Sequence, residues 1–176
     1  NKLCELIPSF DLDILVNNAF TGLEKKHFHK IEPEHFYDSF KNNVMPTVKI
    51  TQASIKTFRN KKFGKIITIL SSYLINKPPI GLSEYTASKS YLLSLSKSWA
   101  TENSKFNITS NSICPSYMAT ELNANEDPRV IEIMENSLPL KKILSIEEVA
   151  ECLSYLVTCT QQVNGQSIVI NQGVDL

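Results

Sequence analysis

The sequence predicts an α/β fold in which strands and helices alternate around a parallel sheet. Two observations carry that prediction. β-rich runs at 13–19, 65–71 and 107–114 close with Asn17-Asn18, with Ser71-Ser72 and at Pro115, so polar groups gather at strand carboxyl ends, where open α/β sheets place their ligands. Segments of helical spacing separate the runs, with no internal repeat and no low-complexity linker, so residues 1–176 read as a single domain.

After the strand at 13–19 comes a charged loop to Glu32, and Pro33 opens a helix to about Phe58. Pro46 falls inside that helix and predicts a kink or a break, because proline lacks the N–H of the ladder. The strand at 65–71 leads through Lys77-Pro78-Pro79-Ile80-Gly81 into a helix from Ser83 to about Asn103, with Tyr91, Leu92, Leu95 and Trp99 as its expected buried stripe. The strand at 107–114 precedes a long segment, 116–140, whose short helix follows Pro128. A helix over 147–158 and a strand over 167–170 complete the order. Strands alternating with helices imply parallel pairing through right-handed crossovers.

Composition narrows the function. Hydrophobic residues make up 42% and charged residues 20%, which suits a globular protein. Eighteen Lys plus Arg balance eighteen Asp plus Glu, so nothing points to nucleic acid or an anionic membrane as partner. No apolar run is long enough to span a bilayer, and the start lacks a signal peptide's apolar stretch. Cys4, Cys114, Cys152 and Cys159 contain no C-x-x-C pair, so reduced thiols and a cytoplasmic location are expected. His27, His29 and His35 lie among lysines without a supporting cysteine or carboxylate array, and read as a solvated loop rather than a metal site.

The chemistry concentrates in Tyr85-Thr86-Ala87-Ser88-Lys89. Positions i and i+4 of a helix share a face, so the Lys89 ammonium can sit beside the Tyr85 phenol. A free phenol titrates near 10, too high for efficient proton exchange at neutrality, and a neighbouring cation lowers that value. Such a pair suits an enzyme that moves a proton on or off a carbonyl oxygen.

Taken in order, Asn17-Asn18-Ala19, Asn43, Ser71/Ser72, Tyr85 with Lys89, Pro115-Ser116-Tyr117-Met118-Ala119-Thr120, the helix carrying Glu147-Glu148-Val149-Ala150, and the closing segment 164–173 resemble the short-chain dehydrogenase/reductase family over nearly the whole chain. The resemblance implies a Rossmann-like doubly wound parallel sheet. It implies an NAD- or NADP-dependent oxidoreductase that interconverts a ketone and a secondary alcohol, with a small carbonyl or alcohol compound as substrate. Tyr85 would be the acid/base. Lys89 would tune it and hold the nicotinamide ribose, Asn43 would anchor a water leading to the lysine, and a serine would hold the substrate oxygen. Thirteen residues back from Tyr85 falls Ser72, while counting along the strand from Gly64 favours Ser71; Ser72 is preferred. Cofactor contacts are expected from Asn17, Ala19, Tyr85, Lys89, Pro115, Met118 and Thr120. Similarity also implies a homodimer or homotetramer through the helices at 34–58 and 83–103.

Two departures qualify the resemblance. Phe20 stands where the family usually has glycine, which would narrow the cleft or redirect the loop. The five glycines, Gly22, Gly64, Gly81, Gly165 and Gly173, include no G-x-G spacing, so the phosphate-binding turn of the family is missing. The chain is therefore expected to be the second half of the family fold, strands four to seven, either as a fragment of a longer protein or as a truncated relative; the missing initiator methionine favours the fragment. In isolation it is expected to expose the edge of its first strand, and one sheet face is expected to lose helices. The alternative function is a non-catalytic remnant or assembly subunit that keeps the motif without binding cofactor.

Overall fold

The structure, a computed structural model, describes residues 2–75, 77–123 and 126–174. Strands β1 (Ile14–Asn17), β2 (Gly64–Ile69), β3 (Ile108–Pro115) and β4 (Ser167–Ile170) form one sheet in the order β1-β2-β3-β4, and every neighbouring pair is parallel. The helices are α1 (Lys2–Leu6), α2 (Pro33–Ser39), α3 (Met45–Lys61), α4 (Ser83–Asn103), α5 (Pro128–Ser137) and α6 (Ile146–Thr158). No described helix is long and apolar enough to cross a membrane.

Successive strand residues face opposite sides of a sheet, so the register assigns its two faces. Leu15, Ile66 and Ile108 share the first face and pack against Phe58 of α3 and Trp99 of α4. Ile67, Ile113 and Ile168 share the second and pack against Val149 and Leu156 of α6. The steps from β1 to β2 and from β3 to β4 run the same way across the sheet, yet α3 and α6 lie on opposite faces. Those two crossovers therefore have opposite hands, and the expectation of uniformly right-handed connections fails. The right-handed preference belongs to a helix fed directly by a twisted strand. Here the loop and α5 intervene between β3 and α6, which uncouples that helix from the strand's twist.

The sequence stripe of α4 holds at Leu92 and Trp99, which are buried, and at Leu95, which packs against Phe58 and Ile66, and is corrected at Tyr91. Its buried residues are Ser88, Lys89, Leu92, Ser96, Trp99, Ala100 and Asn103, while Tyr91 is 47% exposed and stacks edge-on against Phe40. Small hydroxyls do the packing that large side chains were expected to do: Ser96 Oγ lies 2.9 Å from Ser110 Oγ and accepts from Ser112 Oγ at 3.1 Å, both on β3.

The expected disturbance at Pro46 takes the form of a π-turn over Phe40–Val44, between α2 and α3. Proline removes one donor from the ladder, and the bonding slips to the wider i→i+5 pattern, with the Met45 N–H donating to Phe40 O. On the second face, the buried Lys65 donates from Nζ to Leu156 O (3.2 Å) and Cys159 O (2.5 Å), capping the carbonyl end of α6. Among the described residues no strand pairs with the outer side of β1, and Val16, on the second face, remains 39% exposed.

Gly64 opens β2 beneath the fully buried Phe58. A Cβ at this position would fall 2.3 Å from Phe58 Cγ, well inside van der Waals contact. Gly64→Ala should therefore lower the unfolding free energy by about 1–3 kcal/mol, the usual cost of overpacking a core; urea denaturation followed by circular dichroism measures it.

Candidate active site

The segments that leave β1, β2 and β3 at their carboxyl ends, together with α4 and α5, enclose a cleft of about 770 Å³. Leu82 enters it from just before α4, Tyr85 and Lys89 from the first two turns of that helix, Ser71 and Tyr73 from beyond β2, and Pro115, Met118 and Thr120 from β3 and its exit. Leu122, Val130 and Met134 form its apolar cover.

Of the residues singled out by sequence, the structure brings Ala19, Tyr85, Lys89, Pro115, Met118 and Thr120 to this cleft. Asn17 does not line it: its Nδ2 donates to Thr51 Oγ1 at 3.1 Å, tying β1 to α3. Asn43 is also set back. Its Oδ1 accepts from Thr21 N (2.9 Å) and its Nδ2 donates to Thr21 O (3.1 Å), a two-point clamp on the loop after β1. Its own carbonyl accepts from Thr47 Oγ1 at 3.0 Å.

The structure separates the two candidate serines. Ser71 lines the cleft and interacts with the Tyr85 phenol through its side chain, whereas Ser72 is buried in the short 3-10 turn Ser72–Leu74. One residue along an extended chain reverses the direction of the side chain, and Ser71 is still extended. Ser71 lies fourteen residues before Tyr85, one more than the thirteen-residue spacing, and β2 runs on in extended form through Leu70, whose N–H donates to Ile113 O at 2.8 Å.

Lys89 is 5% exposed, and its Nζ donates to Ile69 O at 2.8 Å. Burial pulls its pKa down to about 8, opposed by the nearby Cys114 thiol. That thiol is itself pushed up to about 11 by burial and is neutral at pH 7. The Tyr85 phenol lies above its ordinary value, chiefly because it is buried, with Ser71 acting in the opposite direction. The lowering of Tyr85 by Lys89 that the spacing suggested is therefore not found: the ammonium turns to Ile69 and lies 5.9 Å from the centre of the Tyr85 ring.

Features that spacing could not reveal complete the site. Phe20 packs edge-to-face on Tyr85, ring centres 5.0 Å apart, and receives Lys89 Nζ 4.9 Å from its centre. Lys25 and Glu126, a hundred and one residues apart, form an ion pair at the mouth. Gly81 O accepts from Lys26 N at 3.0 Å, and a Cβ on Gly81 would sit 3.2 Å from that nitrogen, so the loop contact requires glycine. The Tyr117 hydroxyl lines the same cleft, buried and without a hydrogen-bond partner among the described residues. No alternation or motif marks these positions, because loops that are distant in sequence create them.

A parallel sheet covered by helices on both faces, with its polar groups gathered at the strand ends, defines a Rossmann-like α/β protein. The chain belongs to the short-chain dehydrogenase/reductase family: residues 9–175 match the family model described as Enoyl-(Acyl carrier protein) reductase. It is similar to the acetoacetyl-CoA reductase of Rhizobium meliloti (strain 1021), 34% identical over 84% of this chain and 61% of that one. It is also similar to the 3-oxoacyl-(acyl-carrier-protein) reductase FabG of Buchnera aphidicola, 29% identical over 98% of this chain and 70% of the relative. A gluconate 5-dehydrogenase from Burkholderia cenocepacia, crystallised with NADP and tartrate, shares the fold at a TM-score of 0.87 and 23% identity, over 98% of this chain and 70% of the other. The chain thus spans about 61% of the length of the first of these relatives.

Lys89 gives a stability test. It titrates near 8 when folded and near the ordinary 10.5 when unfolded, so between those values the unfolded chain holds more protons and stability rises with pH. Below pH 8 the full cost of burying the cation, about 3 kcal/mol, is present. Lys89→Met should stabilise the fold at pH 7 by about 1–2 kcal/mol once the abandoned Ile69 carbonyl is allowed for, with the gain gone near pH 10. Urea titrations at both pH values check it.

Proposed function

We propose that the chain carries the catalytic portion of an NAD(P)-dependent oxidoreductase that interconverts a ketone and a secondary alcohol, with 3-oxoacyl compounds such as acetoacetyl thioesters among its substrates. The observation that carries this reading is the meeting of Tyr85, Ser71 and Lys89 at the carboxyl ends of the strands, inside one cleft. The names of the acetoacetyl-CoA and 3-oxoacyl reductases to which the chain is similar support the substrate class.

In this reading Tyr85 donates its proton to the carbonyl oxygen during reduction and accepts the hydroxyl proton during oxidation. Ser71, rather than Ser72, donates a hydrogen bond to that oxygen as negative charge develops. The phenol is protonated at neutral pH, and burial raises it further above its ordinary value, so a proton is available for the reductive direction. Lys89 presents its ammonium at the floor of the cleft, and Asn43 shapes the wall by holding Thr21. The apolar and backbone-rich segment through Pro115, Met118 and Thr120, with Ala19 opposite, fits a nicotinamide and its ribose. The nicotinamide supplies or takes the hydride. In the family, phosphate binding belongs to a glycine-rich turn, and none of the five glycines here falls at that spacing. We read the four strands as strands four to seven of the family sheet, in keeping with the share of the relatives that the chain spans. A cytoplasmic homodimer or homotetramer, associating through α2–α3 and α4, belongs to the same proposal. The second reading, a relative that keeps the motif without binding cofactor, draws on the missing glycine spacing alone; calorimetric titration with NADH and NADPH separates the two.

Tyr85→Phe keeps the ring and removes the proton. In the complete enzyme it should lower turnover of acetoacetyl-CoA with NADPH or NADH by about 10²–10⁴-fold while leaving cofactor affinity nearly unchanged. Ser71→Ala should lose more turnover than Ser72→Ala. Near-normal turnover in Tyr85→Phe would remove the proton-transfer role, and the reverse order in the serines would return the assignment to Ser72.

A further inference from the structure

Phe20 touches both members of the candidate proton-transfer pair, and nothing in that pairing requires an aromatic ring. Its centroid lies 4.9 Å from Lys89 Nζ and 5.0 Å from the Tyr85 ring centre, with the two rings inclined at 76°. Phe20 is half-buried and lines the same cleft. It is also held: the next residue, Thr21, is clamped at both N–H and C=O by the buried Asn43, and farther along the loop Lys26 is tied to Gly81. The ring is therefore positioned from its backbone.

A buried ammonium needs partners for its donors. The Ile69 carbonyl meets one N–H bond of Lys89, at 2.8 Å. The titratable groups that face it are Tyr85, from its own helix, and Cys114, from β3. Burial raises both of those groups, so the phenol and the thiol are neutral at pH 7 and supply no compensating charge. The face of an aromatic ring is negative, and it attracts a cation most strongly where water is excluded.

We propose that Phe20 is a positioning residue for the Tyr85–Lys89 pair: its ring face holds the lysine as a cation inside the cleft, and its packing fixes the orientation of the Tyr85 phenol. The inference rests on reading Tyr85 and Lys89 as the reacting pair. It assigns Phe20 an electrostatic part that neither its exposure nor its hydrophobicity would suggest.

The test needs no cofactor. Lysine is labelled with ¹³C at Cε in the full chain, and the Lys89 resonance, assigned by its loss in Lys89→Met, is followed against pH. Wild type should titrate near 8. Phe20→Leu keeps the burial and loses the π face, so the midpoint should fall, by about 0.4–1.5 pH units. Phe20→Ala admits water, and the midpoint should rise towards the ordinary lysine value. Phe20→Tyr retains the ring and should restore the wild-type midpoint, and it is the mildest change should Phe20→Ala disturb the loop. A Phe20→Leu midpoint equal to or above that of wild type would overturn the proposal. The catalytic reading fails separately: the expected shifts together with undiminished turnover in Tyr85→Phe would leave the Phe20 contact standing and remove the proton-transfer role. Loss of turnover in Tyr85→Phe without those shifts would do the reverse.

Discussion

The site depends on keeping one ammonium out of water. Lys89 can be buried only if something replaces its hydration, and the Ile69 carbonyl can serve only if α4 crosses close over the end of β2. That approach constrains the helix along its length. Ser96, Ser110 and Ser112 meet through short hydroxyl contacts where larger side chains would hold α4 and β3 apart. At the far end Asn103 receives Arg59 Nε at 2.8 Å and donates to Trp99 O at 2.8 Å, which ties α4 to α3. The near end is fixed by Ser88, whose hydroxyl lies 3.1 Å from that of Ser39. The polar residues of α4 are thus what place Lys89, and the low amphipathicity of the helix follows from that task.

The same burial shifts the two members of the pair in opposite directions, Lys89 down and Tyr85 up. Removal from water raises the Tyr85 phenol above its ordinary value, and the Ser71 side chain acts against that rise. The Lys89 ammonium has turned towards a backbone carbonyl and a ring face, so its field acts on Tyr85 from a distance. The Tyr85 phenol stays protonated at neutral pH and lies beside the Ser71 hydroxyl. The i, i+4 spacing places both side chains on one face of the helix, as read from sequence, but that spacing carries no information about which neighbour the ammonium selects.

Regular elements were legible because each carries its own period or punctuation. The helix over Ser83–Asn103 and the strand over Ser167–Ile170 stand where the sequence places them, and Pro33 and Pro128 each occupy a helix first turn. The features that the sequence did not display share a cause. Ser71 against Ser72 turns on a single extended residue, and the burial of Ser96 over Tyr91 turns on how close β3 lies. The clamp of Asn43 on Thr21 and the ring of Phe20 join segments separated by twenty to seventy residues in the chain. Such contacts are set by tertiary packing, which leaves no local pattern to read.

The opposite hands of the crossovers have a consequence for the cleft. Because α6 lies on the second face, its first turn comes to the rim, where Ile146 lines the cleft with Val130 and Met134 of α5. The placement of α6 is secured at both ends. Ser145 and Glu148 form a reciprocal capping box at its start, at 2.9 and 3.2 Å, and Lys65 takes up carbonyls at its finish. Lys65 is a strand residue, the second of β2, and that strand leads through Ile69 to Ser71. One strand therefore anchors α6 on one face through Lys65 and α4 on the other through the Ile69 carbonyl. A shift of β2 along its own axis would displace Tyr85, Lys89 and the apolar rim together, so the register of β2 against β3 sets the geometry of the whole cleft.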